Sequence, residues 1–230
     1  MALRDFSRTL LLPMRVWDGP TRLFHWAIAL NVAASAVLAE LGWMRAHRIA
    51  GLVALGLLVF RIIWGFAGSE TSRFRQMLAS PAEVARHLGS FGGRAPDTSV
   101  GPTPLNGWFG VLLLLLLAVQ IVSGLGNPGR SAAGGAFAGP LAAHLGPALA
   151  HACTIVHDAA FRVLLAAIAL HVLVVIAYAV MKRQDLVRPM VTGRKRLPGT
   201  TRQPRMASFL LAFVTALLAA GIALLVALLA

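Results

Sequence analysis

The sequence predicts an all-α integral membrane protein, a four-helix transmembrane bundle followed by one additional C-terminal transmembrane helix. Two observations predict this class. Of the 230 residues, 58% are hydrophobic and only 13% are charged, whereas soluble domains are about 45–50% apolar and roughly 25% charged. The apolar residues also fall into runs of about 20 residues, the length that crosses a bilayer core.

Charge and cysteine content narrow the function classes. The chain has 21 Lys+Arg against 8 Asp+Glu, a formal net charge of +13. In a soluble protein this excess would suggest nucleic acid. Here the basic residues cluster between the apolar runs, so membrane lipids are the expected partners and nucleic acid is not. The single cysteine, Cys153, excludes an intramolecular disulfide and a cysteine-based zinc site.

Five apolar runs are long enough to be spans, at about 23–43, 48–67, 107–126, 157–181 and 207–230. The first two are joined closely around Met44–His47, which predicts an antiparallel hairpin. The third ends at Gly126–Gly129, where glycine, asparagine and proline stop a helix. The first four spans, within residues 23–182, are predicted to form the bundle.

The segments outside the spans carry most of the charge. Residues 1–22 are predicted to be a tail, and residues 183–206 a basic, solvated linker. The segment 70–100 alternates basic and apolar residues, which predicts an interfacial helix or a helical hairpin broken at Pro81. The fifth span is an Ala/Leu-rich anchor in which Gly221 is a candidate packing point.

The distribution of basic residues predicts the orientation. Arginine and lysine are concentrated in the tail and in the loops 68–106 and 182–205, whereas the opposite loops hold only Arg45, Arg48 and Arg130. The positive-inside rule places the more basic segments in the cytoplasm. The N-terminus is therefore expected in the cytoplasm and the C-terminus on the outer side.

Four of the seven histidines lie inside or at the edge of predicted spans. His157 and His171 are separated by about four helical turns, so they face the same side of one helix and stand about 21 Å apart along its axis. His25 lies at the cytoplasmic start of the first span, and His47 lies at the outer start of the second. The four therefore form two depth-matched pairs, His25 with His171 and His47 with His157.

Two imidazoles from facing helices are what the iron of a six-coordinate b-type haem requires. An iron with both axial positions filled by protein favours electron transfer over oxygen chemistry. The competing interpretation, a histidine in an interfacial or polar contact, is weakest for His171, because an unpartnered polar group in mid-span is costly. The pattern thus predicts two b-type haems.

The remaining histidines leave alternatives. His87 is expected to be solvated on the cytoplasmic side. His144 and His151 fall in the outer loop, where His151 is the rival to His157 as a ligand. A metal or proton transporter could use histidines directly, but such sites usually include carboxylates or thiolates.

Several motifs occur in a family-like order: VWDGPTRLFHW (16–26), HRIAGLVALGLLVFRIIWGFAGS (47–69), RF (73–74), PTPLNGW (102–108), VHD (156–158), LHV (170–172) and DLVRPMVTGRK (185–195). Together they resemble the bacterial cytochrome b561 family, which includes the b-type cytochrome subunits of membrane-bound nickel–iron hydrogenases. The resemblance covers about residues 14–196. The fifth span lies beyond it.

The resemblance implies a four-helix haem-binding bundle with two b haems in bis-His ligation. Such a bundle would carry electrons between membrane quinones and an outer partner across the bacterial inner membrane. By position, the ligands of the family fall on His25, His47, His157 and His171. Arg61, in FRIIWG, could pair with a haem propionate; the alternative is that it snorkels to the interface.

The resemblance leaves the partner and the enzyme class open. Candidate partners are a periplasmic c-type cytochrome, a hydrogenase or another oxidoreductase, which would make the chain an electron-transfer subunit of a membrane oxidoreductase. A second hypothesis is a self-contained enzyme that couples a small oxidant or radical such as superoxide to quinone. Whether the chain forms a homo-oligomer is also open.

The chain departs from the family pattern at one place. Many relatives carry a histidine where this chain has Gly101–Pro104. That histidine is not one of the four paired ones.

Overall fold

The computed structural model describes residues 11–89, 99–129 and 138–229. The helices are, in chain order, α1 (Gly19–Glu40), α2 (Met44–Ala67), α3 (Phe74–Met77), α4 (Pro81–Gly89), α5 (Pro104–Leu125), α6 (Pro147–Met181), α7 (Val187–Thr192) and α8 (Phe209–Ala227). Within the described ranges, α1, α2, α5, α6 and α8 are long and apolar enough to cross a membrane. The prediction of a mostly helical, multi-pass membrane protein is confirmed.

Side-chain caps begin several of these helices, including three of the long ones. The Asp18 carboxylate accepts a hydrogen bond of 2.6 Å from the backbone N–H of Thr21 at the start of α1. The Thr103 hydroxyl accepts one of 3.2 Å from the N–H of Asn106 at the start of α5, and Ser208 caps α8 in the same way. These oxygens satisfy amides that the first turn of a helix leaves unpaired.

The largest difference from the predicted boundaries is at α6. The sequence predicts this helix at 157–181, whereas α6 begins at Pro147 and has 35 residues. Proline in the first turn is a helix-start signal. The Gly/Ala/Pro-rich composition before it is typical of a loop, so the sequence does not predict so early a start. At 1.5 Å per residue the helix is about 52 Å long, so it extends well beyond a hydrocarbon core of about 30 Å.

The long helices pack in sequence order. α1 packs on α2, α2 on α5, and α5 on α6, whereas α1 and α6 do not pack closely against each other. The buried apolar cluster between α2, α5 and α6 consists of Ala54, Leu58, Leu117, Ile121 and Leu164. This arrangement places α1 and α6, which carry three of the four paired histidines, at opposite ends of the packing order.

α8 packs against α2 through small residues. A Cβ added at Gly56 of α2 would lie 3.5 Å from the Cβ of Ala223, and Ala219 is buried in the same contact. Gly221 is exposed, and a Cβ added there would meet nothing within 4 Å. The candidate packing point Gly221 therefore makes no close contact with the described part of this chain. Gly56 allows the close approach of the two helices instead.

The linker predicted at 183–206 is folded rather than solvated. It contains α7 and the strand β2 (Arg194–Pro198), which pairs antiparallel with the strand β1 (Leu11–Arg15). The side chain of Leu197 is fully buried in a small cluster with Met14 and Val16. The all-α prediction therefore omits a two-stranded sheet that joins the tail to the linker.

The bundle has two ends, named here by what they carry. The sheet end carries β1, β2 and the short helices α3, α4 and α7. The turn end carries the turn between α1 and α2 and the short 3₁₀ turn Ala142–His144. In the interfacial segment Pro81 begins α4 after the short α3, as the helical-hairpin alternative expects.

Several predictions fall on residues outside the described ranges. They concern the first ten residues of the tail, the end of the interfacial segment at 90–98, the loop residue Arg130 and the last residue of the fifth span.

Candidate functional site

His47 and His157 lie against each other at the turn end. His47 is in the first turn of α2, His157 is in α6, and their ring centres are 6.3 Å apart with nearly perpendicular planes (87°). A metal ion bound by two imidazoles at about 2 Å on each side would hold the ring centres about 6 Å apart. The spacing of the pair is therefore compatible with a metal between the rings.

Both rings are anchored through Nδ1. The Nδ1 of His47 lies 2.8 Å from the backbone oxygen of Ser35, and that of His157 lies 2.9 Å from the backbone oxygen of Gln120. A carbonyl oxygen only accepts, so each Nδ1 carries the proton and each Nε2 keeps its lone pair. Metal-binding histidines are oriented by second-shell hydrogen bonds of this kind.

The two rings line a cavity of about 770 Å³ between α1, α2, α5 and α6, called here the turn-end cavity. Pockets for cofactors and small molecules have volumes of about 300–1,000 Å³. Asn31 and Gln120 also line it, and their side-chain oxygens are buried with no hydrogen-bond partner among the described residues. Buried oxygens of this kind are costly unless a bound group satisfies them, so the cavity fits an occupant.

Glycine at position 124 makes room for one of the rings. A Cβ added at Gly124 would lie 2.9 Å from Cε1 of His157, closer than van der Waals contact. Gly51 also lines the cavity, and a Cβ added there would meet nothing within 4 Å. The position of the His157 ring therefore depends on Gly124.

His25 and His171 form the second pair, towards the sheet end. They are near enough to interact electrostatically. The ring of His171 stacks on Phe109 with centres 5.9 Å apart, and Nδ1 of His25 is buried without a hydrogen-bond partner in the described part of the chain. The structure thus brings both predicted pairs together, the turn-end pair in ring contact and this pair within electrostatic range.

Arg61 is buried near the end of α2, with only 5% of the residue exposed. Its Nη2 lies 3.0 Å from the sulfur of Met77, and its guanidinium lies 5.0 Å from the ring centre of Phe74. A thioether is a weak acceptor, and Nη1 has no partner among the described residues. A buried guanidinium with an unsatisfied nitrogen does not fit snorkelling to solvent; it fits an anionic partner.

Asp18 forms a buried polar network at the sheet end that sequence reasoning does not single out. Its carboxylate accepts hydrogen bonds from the indole N–H of Trp64 (3.1 Å) and the hydroxyl of Ser72 (3.0 Å), besides the cap at Thr21. Burial raises the pKa of Asp18, but hydrogen bonds from Ser69, Thr21 and Ser72 outweigh burial, so the pKa is lower than its ordinary value. The network ties the start of α1 to the end of α2.

The three remaining histidines have other contacts or lie exposed. His87 is half-buried: its ring stacks on Tyr178 with centres 6.2 Å apart, and its Nε2 contacts the hydroxyl of that tyrosine. The prediction that His87 is solvated is therefore wrong, because α4 packs against α5 and its His87 contacts Tyr178 of α6. His144 is exposed and its Nε2 lies 3.1 Å from the backbone oxygen of Leu229. His151, the rival to His157, is exposed on α6.

Arg162 is a second residue that sequence reasoning does not single out. It lies on α6 five residues after His157 and lines the turn-end cavity. The residue makes no hydrogen bond or ion pair with any described residue. The available signal was an ionisable side chain inside the predicted span 157–181, which marks a functional position by default.

The candidate metal-binding side chains occur in pairs and not in larger clusters. Across the described ranges, no group of three or more His, Cys, Asp or Glu side chains could hold a metal ion. Five candidate spans and two histidine pairs between long helices define a multi-pass membrane protein with its site inside a helical bundle.

Residues 16–193 match the family model described as Prokaryotic cytochrome b561, and the chain belongs to this family. The predicted family is thereby confirmed. Its members are b-type cytochromes, which bind b-type haem and transfer electrons in membranes. The matched range contains all four paired histidines and ends before α8. No curated protein and no solved structure matches the chain.

Proposed function

We propose that this chain is a diheme b-type cytochrome that carries electrons across the bacterial inner membrane between the quinone pool and a periplasmic redox partner. One observation carries the proposal. The ring centres of His47 and His157, from two different helices, lie 6.3 Å apart at the wall of a cavity of cofactor size. In each ring Nδ1 donates to a backbone carbonyl, so Nε2 is the nitrogen that would bind iron. In His157 the Gln120 amide nitrogen lies 3.1 Å from Nε2, and the iron would take its place.

The residues have distinct roles in this proposal. When bound, b-type haem supplies one-electron chemistry at its iron. His47 and His157 would hold one haem at the turn end, and His25 with His171 would hold the second towards the sheet end. Arg61, with its unsatisfied Nη1, would bind a propionate of the second haem. The three helices that carry these residues, α1, α2 and α6, would form the haem-binding bundle together with α5, and α8 is an added anchor on α2.

The charge distribution supports the orientation. The basic strand β2 lies at the sheet end, where Arg194 is opposite Arg15 and Lys195 is opposite Met14 of β1. The turn end has fewer basic residues, among them Arg45 and Arg48 in the first turns of α2. The positive-inside rule then places the sheet end and the N-terminus in the cytoplasm. The C-terminus and the turn-end cavity face the periplasm.

Both histidine pairs are needed for a function that crosses the membrane. His157 and His171 stand about 21 Å apart along α6 at 1.5 Å per residue, and a hydrocarbon core is about 30 Å thick. Sites at two depths let electrons enter at one face and leave at the other. We propose quinone as the partner in lipid, and a c-type cytochrome, a hydrogenase or another oxidoreductase as the periplasmic partner.

A reduced-minus-oxidised absorption spectrum, with a pyridine haemochrome count, tests the proposal on the purified chain. We expect a low-spin b-type spectrum with two haems per chain. The variants His157→Ala and His171→Ala should each lose one haem, whereas the control His144→Ala changes an exposed histidine and should keep both. Absence of haem from the folded wild-type chain would overturn the proposal.

A further inference from the structure

Arg162 is an exposed residue of α6, one of the candidate membrane spans. It lies five residues after His157 on α6, about 7.5 Å further along the helix axis. Ionisable side chains within a span are usually paired or bound to a functional group. Arg162 has no such partner among the described residues, although Asp158 lies one turn away on the same helix. Its partner is therefore to be sought in the cavity that it lines.

The direction of helical side chains brings the guanidinium back towards the histidine pair. Side chains on a helix lean towards its N-terminus, and the N-terminus of α6 is at the turn end. A long arginine side chain starting about one and a half turns below His157 thus reaches back towards the level of that ring. The two residues are about 140° apart around the helix axis, so it is the cavity that brings them together and not a shared helix face. Arg162 and the two rings line the same cavity.

The other charged groups at the cavity leave this cation uncompensated. They are Glu40 at the end of α1, Arg48 on α2 and Asp158 on α6. Arg48 donates a hydrogen bond of 3.5 Å to the backbone oxygen of Ala138, and Asp158 interacts electrostatically with His157. Glu40 is exposed at the end of its helix. None of the carboxylates forms an ion pair with Arg162 in the described structure.

We infer that Arg162 binds a propionate carboxylate of the haem held between His47 and His157. The inference rests on the proposed function and adds a residue to it. A guanidinium matches a carboxylate with two parallel hydrogen bonds, and its charge does not depend on pH in the physiological range. Arg162 would then do at the turn end what Arg61 does for the second haem.

Redox titration of the purified haem protein tests the inference. Reduction adds one negative charge to a haem, so a nearby cation favours the reduced form and raises the midpoint potential. Arg162→Gln should lower the potential of one haem by about 59 mV, a tenfold change in its reduction equilibrium, and leave the other unchanged. The control Arg45→Gln removes an exposed arginine from the same end and should change neither. Unchanged potentials in Arg162→Gln would overturn the inference.

Further measurements distinguish the two possible anionic partners of Arg162, a haem carboxylate and a lipid phosphate. The titration is repeated in nanodiscs of neutral phosphatidylcholine and of anionic phosphatidylglycerol. A shift of the same size in both supports the haem carboxylate, whereas a shift confined to the anionic lipid assigns Arg162 to lipid phosphate and overturns the inference. If Arg162→Gln loses a haem, Arg162→Lys should retain it; loss in both variants would overturn the inference. A wild-type chain without two haems would refute the proposed function itself, before any variant is compared.

Discussion

The ring nitrogen Nδ1 of His157 lies 2.9 Å from the backbone oxygen of Gln120 on the neighbouring helix α5. The acceptor is a main-chain atom, so a side-chain substitution at Gln120 does not remove it. The Gln120 side chain adds a second contact, since its Nε2 lies 3.1 Å from Nε2 of the ring. The position and tautomer of His157 are therefore set mainly by the packing of α5 against α6.

Gln120→Ala should keep two haems per chain, because the backbone oxygen that orients His157 remains. The variant also removes the buried side-chain oxygen that has no partner among the described residues, so we expect the thermal stability to stay within about 0.5 kcal/mol of wild type. Haem count and thermal unfolding in detergent measure the two outcomes. Loss of a haem would show that the amide, not the carbonyl, holds the ring.

Gly124→Ala should reduce haem binding at the turn end. The added Cβ would lie 2.9 Å from Cε1 of His157, and a ring held by its Nδ1 hydrogen bond must rotate or shift away. A displaced axial ligand weakens coordination, so we expect the haem count to fall from two towards one.

A matched control is Gly221→Ala, where the new methyl group would meet nothing within 4 Å. It should keep the wild-type haem count. Two fully occupied haems and an unchanged spectrum in Gly124→Ala would contradict the dependence of His157 on this glycine.

Asp18→Asn should destabilise the protein and change its response to acid. The carboxylate accepts hydrogen bonds from Thr21, Trp64 and Ser72, and an amide matches these donors less well, at a cost of about 1–3 kcal/mol. The pKa of Asp18 is lowered in the folded state. Its stabilisation is therefore present above the unfolded-state pKa of about 4 and is lost as pH falls through the lower folded-state pKa.

Thermal unfolding between pH 7 and pH 3 tests this expectation. The wild type should lose stability below about pH 4, and Asp18→Asn should be less stable at pH 7 and lose less on acidification. Glu40→Gln is the control, because Glu40 is an exposed carboxylate at a helix C-terminus. An acid profile of Asp18→Asn parallel to that of the wild type would argue against the network.

Arg61→Gln should lower the midpoint potential of the haem at the sheet end. Arg61 is 5% exposed, and its Nη1 has no partner among the described residues, so the guanidinium would act on a bound carboxylate with little screening by solvent. We expect about a tenfold change in the reduction equilibrium, or about 59 mV. Arg75→Gln alters an exposed arginine of α3 and should leave both potentials unchanged; equal potentials in both variants and wild type would refute the role of Arg61.

The membrane class, the family and the number of candidate spans could be predicted from the sequence because they depend on composition and on runs of apolar residues. The proximity of His47 to His157 was also predictable, because helix geometry fixes the depth of each residue once the spans are known. Their role as haem ligands remains a prediction.

The features that sequence reasoning missed depend on contacts between distant residues. The strand β2 was hidden in a basic, proline-containing stretch that is typical of loops, yet two-stranded edges tolerate charge and proline. The Asp18–Trp64 hydrogen bond joins residues 46 positions apart, which no local pattern encodes. Gly124 looks like any helical glycine until the ring of His157 is placed beside it.

The pairing of β1 with β2 also constrains the order in which the protein assembles. Leu11 pairs with Pro198, so almost the whole haem-binding bundle is synthesised between the two strands. Closing so long a loop costs conformational entropy that grows with the logarithm of its length. The N-terminal strand therefore stays unpaired until four helices have been inserted and the segment after α6 has left the ribosome. The sheet therefore forms late in folding. A chain interrupted before β2 keeps an unpaired strand edge that quality-control proteases can recognise.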